Sequence, residues 1–386
     1  LFIVNCLLLI VMPSIYIHIP FCKQACHYCD FHFSTKRDKQ PEMVRALAKE
    51  LVIRSKEWGG EAVRTIYFGG GTPSLLTEEE LGSLLETVFG NYKMAGDPEI
   101  TLEANPDDLN ESGLKTMAKA GVNRLSIGVQ SFHDRDLRLM NRAHSALEAE
   151  ASIRLAKRYF ENISIDLIYG IPNLSEEEWK ANLRKALSLD VPHISSYALT
   201  VEPGTALKRF IDKKVVPPVD DEAAEAHFTT MMELLEQHGF VHYEVSNFGK
   251  PGFFSRNNSA YWQGKHYLGI GPSAHSYDGL KRSWNISNNP KYLKAIEQGL
   301  LPSTEEVLTV KDRYNEYVMT GLRTIWGVST ERVKTEFGSK YYQYLLQQAG
   351  KYIESELLIL DNHTLLTTKK GKFLSDGIAS DLFMIL

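Results

Sequence analysis

At 386 residues with 43% hydrophobic content, the chain can bury one large α/β core and a smaller second one. A formal net charge of −5 and a pI near 6.2, with no concentrated block of Lys and Arg, exclude a nucleic-acid footprint, because phosphate binding needs a local cationic excess. The four cysteines do not read as a disulfide scaffold. Three of them, Cys22, Cys26 and Cys29, crowd one short segment, and Cys6 lies in an apolar leader. Such spacing suits a metal cluster in a reducing compartment, and hence a cytoplasmic location.

The leader LFIVNCLLLIV, residues 1–11, lacks a basic start and is shorter than the roughly 20 residues of a membrane span. It reads as neither signal peptide nor stable membrane anchor. Because Met12 opens a strand-like segment, residues 1–11 are expected to stem from a misplaced translation start, a short N-terminal strand being the alternative. From Ser14 onward, apolar runs alternate with helical patterns, the signature of βα units around a parallel sheet. Six strands are expected: Ile15–Ile19, Thr65–Phe68, Ile100–Glu103, Arg124–Val129, Ile163–Tyr169 and Ile194–Leu199.

Between them, Thr77 with Glu80 and Ser175 with Glu178 match the capping box, Asn110 is a further N-cap, and Gly121 suits a left-handed helix end. Six repeats are two short of a closed eight-stranded barrel. The expected fold is therefore a partial (β/α)6 barrel over 12–200 with its functional groups at the C-terminal strand ends, a doubly wound sheet being the rival. Residues 201–308 read as an extension of that barrel, with a helix over about Asp221–His238 and a loop-rich aromatic stretch from Tyr243 to Trp284. Residues 309–386 read as a small winged-helix-like domain, with a hairpin turn at Asp361-Asn362-His363.

The richest segment is IYIHIPFCKQACHYCDF, in which a strand ends at Pro20 and releases three thiols into a tight loop. A [4Fe–4S] cluster normally takes four thiolates; this loop supplies three and leaves one iron open to another ligand. A zinc site completed by His27 or His32 is the alternative. After the second strand, Gly69, Gly70 and Gly71 precede Thr72 and permit close backbone approach. Glu103, Gln130 and Asp166 fall at later strand ends, and Arg142 is a further candidate partner for a carboxylate.

The CxxxCxxC loop on the first strand resembles the radical S-adenosylmethionine superfamily. GGGTP, EANP, GVQSF, NRAH and DLIYGIP, in that order, resemble its oxygen-independent coproporphyrinogen III oxidase branch from Met12 to about Tyr277. The resemblance implies a [4Fe–4S] cluster on Cys22, Cys26 and Cys29. It also implies S-adenosylmethionine contacts from Tyr16, Tyr28, Gly69, Gly70, Gly71, Thr72, Glu103, Gln130, Arg142 and Asp166. The radical chemistry would belong to the cofactor, and the protein would orient it.

Within that branch, the oxidases resemble CxxxCxxCxC and the HemW haem chaperones CxxxCxxCxF; this chain has Phe31. The first strand also begins without the N-terminal extension associated with the oxidases. SRNNSAYWQGKHYLGIGPSAHSYDG is similar to the HNxxYW region of the chaperones, matching at Asn258, Tyr261 and Trp262, with Asn257 where the motif has histidine. An imidazole is a common haem ligand, so His266 or His275 would have to serve instead. The resemblance thus implies haem, an acceptor protein for it and an electron donor as partners. The alternative is oxidative decarboxylation of coproporphyrinogen III, for which Arg256, Lys265, Lys281 and Arg282 could pair some propionates. A radical enzyme with another substrate is the third reading.

Overall fold

The computed structural model describes residues 13–385; the leader, and with it the expectation of a misplaced start, lies outside them. Six strands follow the sequence pattern: β1 Ser14–Ile19, β2 Val63–Gly70, β3 Met94–Ala104, β4 Arg124–Gln130, β5 Asn162–Tyr169 and β6 His193–Ala198. All five pairings along this series are parallel. The order β1 to β6 never reverses, whereas a doubly wound sheet must reverse at a switch point. The strands therefore advance in one direction, as in a barrel, and stop short of closure.

Helices return the chain between strands and begin where the sequence predicts. Thr77 and Ser175 each accept from the N3 amide while Glu80 and Glu178 reach back. Asn110 caps Glu111–Ala120, and Gly121 ends it at φ 102°. Ser145 with Glu148 forms a third capping box. The expected helix near 221–238 spans Asp221–Gln237.

The stretch expected to be loop-rich, Tyr243 to Trp284, instead carries most of a sheet extension. β8 Asn247–Gly249 pairs antiparallel with β6, and β7 Val241–Glu244 pairs antiparallel with β8. β9 Tyr267–Ile270 pairs parallel with β1, and β10 His275–Tyr277, β11 Lys281–Asn285 and β12 Ser303–Val307 continue from it. These strands span only three to five residues, too few for a period-two pattern to stand out. Among the described residues the sheet has twelve strands.

A second hydrophobic core starts with Tyr314, Val318 and Leu322 and includes Leu345, Ala349 and Leu365. It joins helices Val310–Leu322 and Ser339–Glu354 to a three-stranded antiparallel sheet of β13 Val328–Ser329, β14 Leu358–Asp361 and β15 Thr364–Thr367. Asn362 and His363, at φ 45° and 65°, make the two-residue turn predicted there; its left-handed backbone matches strand twist. Among the described residues no helix is long and apolar enough to cross a membrane.

Candidate functional site

The thiol loop leaves the C-terminal end of β1 and is closed at its base by Cys22 N–H to Ser34 O (3.0 Å) and Ser34 N–H to Pro20 O (2.9 Å). Its far side is tied to residues 139–141. His27 N–H donates to Met140 O (3.1 Å), Gln24 Nε2 to Asn141 O (2.9 Å) and Asn141 Nδ2 to Ala25 O (2.8 Å). Asn141 can face the loop because it adopts φ 57°, a left-handed conformation that asparagine tolerates. The NRAH segment thus clamps the loop that carries the three thiols.

The histidines that would complete a zinc site are engaged elsewhere: the His27 ring nitrogen bonds Leu139 O at 2.8 Å and His32 bonds Asn289 at 2.7 Å. Among the described residues no three His, Cys, Asp or Glu side chains gather round one point as a single ion requires. In a cubane each thiolate serves a different iron, so the donors need not converge on one point. Burial pushes the Cys29 thiol up to about 11 and raises that of Cys22; bound iron would stabilise the thiolates.

Arg142 lies against these thiols. Its Nη1 is 3.3 Å from Cys26 Sγ, and its Nη2 donates to Asn105 Oδ1 (2.6 Å) and Gly128 O (2.8 Å). Its Nε is buried without a partner, an unmet donor that suits a carboxylate brought in by a ligand. Tyr28 packs on the main core beside Cys26 and Arg142, and burial raises its hydroxyl.

The three glycines play unequal parts. A Cβ on Gly71 would lie 2.5 Å from Phe21 O, and one on Gly70, at φ 106°, would overlap the His18 ring. Only a Cβ on Gly69 would meet the site's own side chains, Tyr16, Tyr67 and Glu103, at 2.9–3.1 Å. Gly70 and Gly71 therefore let β2 and its turn pass against β1 and the thiol loop. Gly70→Ala is expected to destabilise the protein by about 2–4 kcal/mol through overlap and backbone strain, measured by denaturant unfolding; an unchanged midpoint would refute the packing role. Thr72, buried behind them, donates its N–H to Phe21 O (2.7 Å) and accepts from Asn105 Nδ2 (3.3 Å).

The later strand ends bring Glu103 and Asp166 into one recess. Glu103 accepts from Tyr67 OH (2.8 Å) and Gly70 N–H (3.2 Å), and desolvation raises its carboxyl to about 7. Asp166 accepts from Ser126 Oγ (3.2 Å), and desolvation raises it to about 6. Burial raises both carboxyls, that of Asp166 against the opposing pull of Arg124 and Arg142, and both are ready to ionise fully beside the amine of a ligand. Tyr16 stacks on Tyr67 at 6.0 Å and donates to His18 Nδ1 (3.2 Å), while His18 Nε2–H donates to His32 O (2.9 Å). Gln130, at φ 69° on a register shift between β4 and β5, folds back over Gly128. Sequence reasoning missed Tyr67, Ser126, Asn105 and Asn141. Tyr67 stands two residues before Gly69 and Ser126 four before Gln130, spacings that repeat strand faces.

The HNxxYW-like segment divides. Tyr261 and Trp262, on the helix Arg256–Trp262, line a cleft of about 410 Å³ between the sheet and the C-terminal domain. Asn258, His266 and His275 do not line it. His266 sits 3.7 Å from Glu61, and His275 stacks on Trp284 with rings 6.0 Å apart. Asn257 is 1% exposed; its Oδ1 accepts from Thr65 (2.9 Å) and its N–H donates to Glu99 (3.1 Å). Asn257→His, which the motif suggests as a gain of ligand, would instead force an imidazole into a closed site. It should lower stability by about 1–3 kcal/mol and leave any haem Soret band where it is; a band shift toward an imidazole-bound iron would contradict this.

A one-directional run of six parallel strands, a three-thiol loop after the first and a polar rim at the strand ends define a radical S-adenosylmethionine protein. The model of the Radical SAM superfamily matches residues 16–186, and that of the HemN C-terminal domain residues 308–374. "Heme chaperone HemW" of Bacillus subtilis is 36% identical, covering 95% of this chain and 98% of its own. The Escherichia coli protein of that name is 40% identical over 81% of this chain and 82% of its own. The solved coproporphyrinogen III oxidase HemN of Escherichia coli superposes with TM-score 0.84 at 25% identity, covering 97% of this chain and 91% of its own. The chain belongs to the HemW family of the radical S-adenosylmethionine superfamily, and that membership implies a [4Fe–4S] cluster and S-adenosylmethionine.

Proposed function

We propose that this protein is a haem chaperone, which binds haem and passes it to an acceptor protein in the cytoplasm. Likeness to the HemW chaperones, 36% over nearly the whole chain against 25% for the oxidase, carries the reading. Phe31, 69% exposed where the oxidase pattern has cysteine, supports it. Cys22, Cys26 and Cys29 would hold the [4Fe–4S] cluster, beside which S-adenosylmethionine would bind. Arg142 takes the cofactor carboxylate, and Glu103, Asp166 and Gln130 its amine and ribose. Tyr28 stands by the adenine, while Tyr16, Gly69, Gly70, Gly71 and Thr72 shape the cradle. When bound and reduced by an electron donor, the cluster would supply the electron for cleavage of the sulfonium bond.

Haem contacts Tyr261 and Trp262, the two motif residues that face the interdomain cleft. The likeness of fold to HemN favours coproporphyrinogen III oxidation as the second reading. Anaerobically reconstituted protein should develop a Soret band with one equivalent of haem. With coproporphyrinogen III, S-adenosylmethionine and reductant, it should yield no decarboxylated product. Turnover would assign the protein to the oxidases, and absence of haem binding would leave only the superfamily chemistry.

A further inference from the structure

The interdomain cleft lies between the helix Arg256–Trp262, strands β9 to β11 and the helix Val310–Leu322. Its volume, about 410 Å³, is in the range of small-molecule sites. Tyr261, Trp262, Tyr267, Tyr277, Tyr317 and Phe337 supply aromatic walls, suited to a flat conjugated ring. Three arginines and two glutamates also line it.

Two of the arginines are neutralised in place. Arg282 Nη2 pairs with Glu316 Oε1 at 2.7 Å, and Arg332 Nε pairs with Glu336 Oε2 at 2.7 Å while covering the Tyr317 ring at 4.2 Å. Arg313 is different. Among the described residues its guanidinium has no carboxylate partner, and its Nε is buried with no hydrogen bond. The excess positive charge of the cleft is thus Arg313, in a chain whose net charge is −5. A buried donor left unmet in an aromatic cleft calls for an anionic acceptor, and a guanidinium matches a carboxylate in bidentate geometry.

We propose that Arg313 is the anchor for a haem propionate, holding the ring edge-on at the domain junction while Tyr261 and Trp262 contact its face. This rests on the haem-binding reading above and adds the group of the ligand that is recognised. It also explains why the cleft needs both domains: Tyr261, Trp262, Tyr267 and Tyr277 come from the sheet extension, and the anchor from the C-terminal domain.

The test is parallel titration of the reconstituted protein with haem and with haem dimethyl ester, in which both carboxylates are masked. The wild type should bind haem at least tenfold more tightly than the ester. Arg313→Gln should bring haem affinity down to that of the ester and leave ester affinity unchanged, and Arg313→Lys should restore part of the difference. Equal wild-type affinity for haem and ester, or Arg313→Gln with wild-type discrimination, would overturn the anchor while haem binding itself stood. Equal losses for both ligands in Arg313→Gln would mark a general packing role and also overturn it. A wild type that binds neither ligand would overturn both the anchor and the chaperone reading.

Discussion

Replacing Cys22, Cys26 or Cys29 with Ala is expected to yield colourless protein after anaerobic reconstitution with iron and sulfide, where the wild type takes up four irons and shows thiolate-to-iron charge-transfer absorption. The loss should be near-complete for each variant, because the loop has three thiols and no fourth to substitute: Phe31 occupies the next candidate position and the remaining cysteine is Cys6. The fold should survive. The loop is held by Ser34 at its base and by Met140 and Asn141 on its far side through backbone and amide hydrogen bonds that do not involve sulfur. Iron and sulfide analysis with thermal unfolding of the apo forms checks both halves. Retention of stoichiometric iron in any one variant would sink the three-thiolate assignment.

Arg323→Ala is expected to cost about 3–5 kcal/mol, the usual penalty for stranding a buried charge. Arg323 donates to Glu244 Oε1 from Nε (3.1 Å) and Nη2 (2.9 Å), and Glu244 is 1% exposed. On its other side, Nη1 reaches Asp376 at 2.5 Å, and the guanidinium lies 4.9 Å from the Trp262 ring centroid. One side chain therefore ties β7, the helix Ser375–Asp381 and the helix that carries Tyr261 and Trp262. Its removal leaves the Glu244 carboxylate in the core with, among the described residues, Ser246 N–H and Asn247 Nδ2 as its donors. Arg323→Lys should recover little, since an ammonium cannot span both carboxylates in the same planar geometry. Denaturant unfolding reads the loss, and haem titration should weaken with it because Trp262 loses its support. An unfolding free energy within about 0.5 kcal/mol of wild type would disprove this bracing role.

The agreement between pattern and structure is uneven for physical reasons. Strands β1 to β6 are six residues or longer and mostly buried, so each left a strand-like stretch of apolar residues interleaved with small or polar ones. The capping boxes at Thr77 and Ser175 were equally legible, because both partners sit within four residues. β9 left no such mark: it is four residues long and owes its place to β1, some 250 residues earlier in the chain. Asn257 misled for the opposite reason. Its motif neighbours suggested a ligand position, but the bonds that bury it come from Thr65 and Glu99, far away in sequence.

Local patterns therefore carried the three-thiol loop, the βα order and the resemblance to the superfamily, since those depend on residue types a few positions apart. The tertiary structure decided what depends on distant partners: that Gly70 clears His18, that Arg142 meets the thiols, that Tyr261 and Trp262 face a cleft while Asn257 does not, and that Arg313 is, among the described residues, its unpaired cation. Side-chain direction and charge pairing are set by which surfaces meet once the chain has packed, and local periodicity carries no information about that.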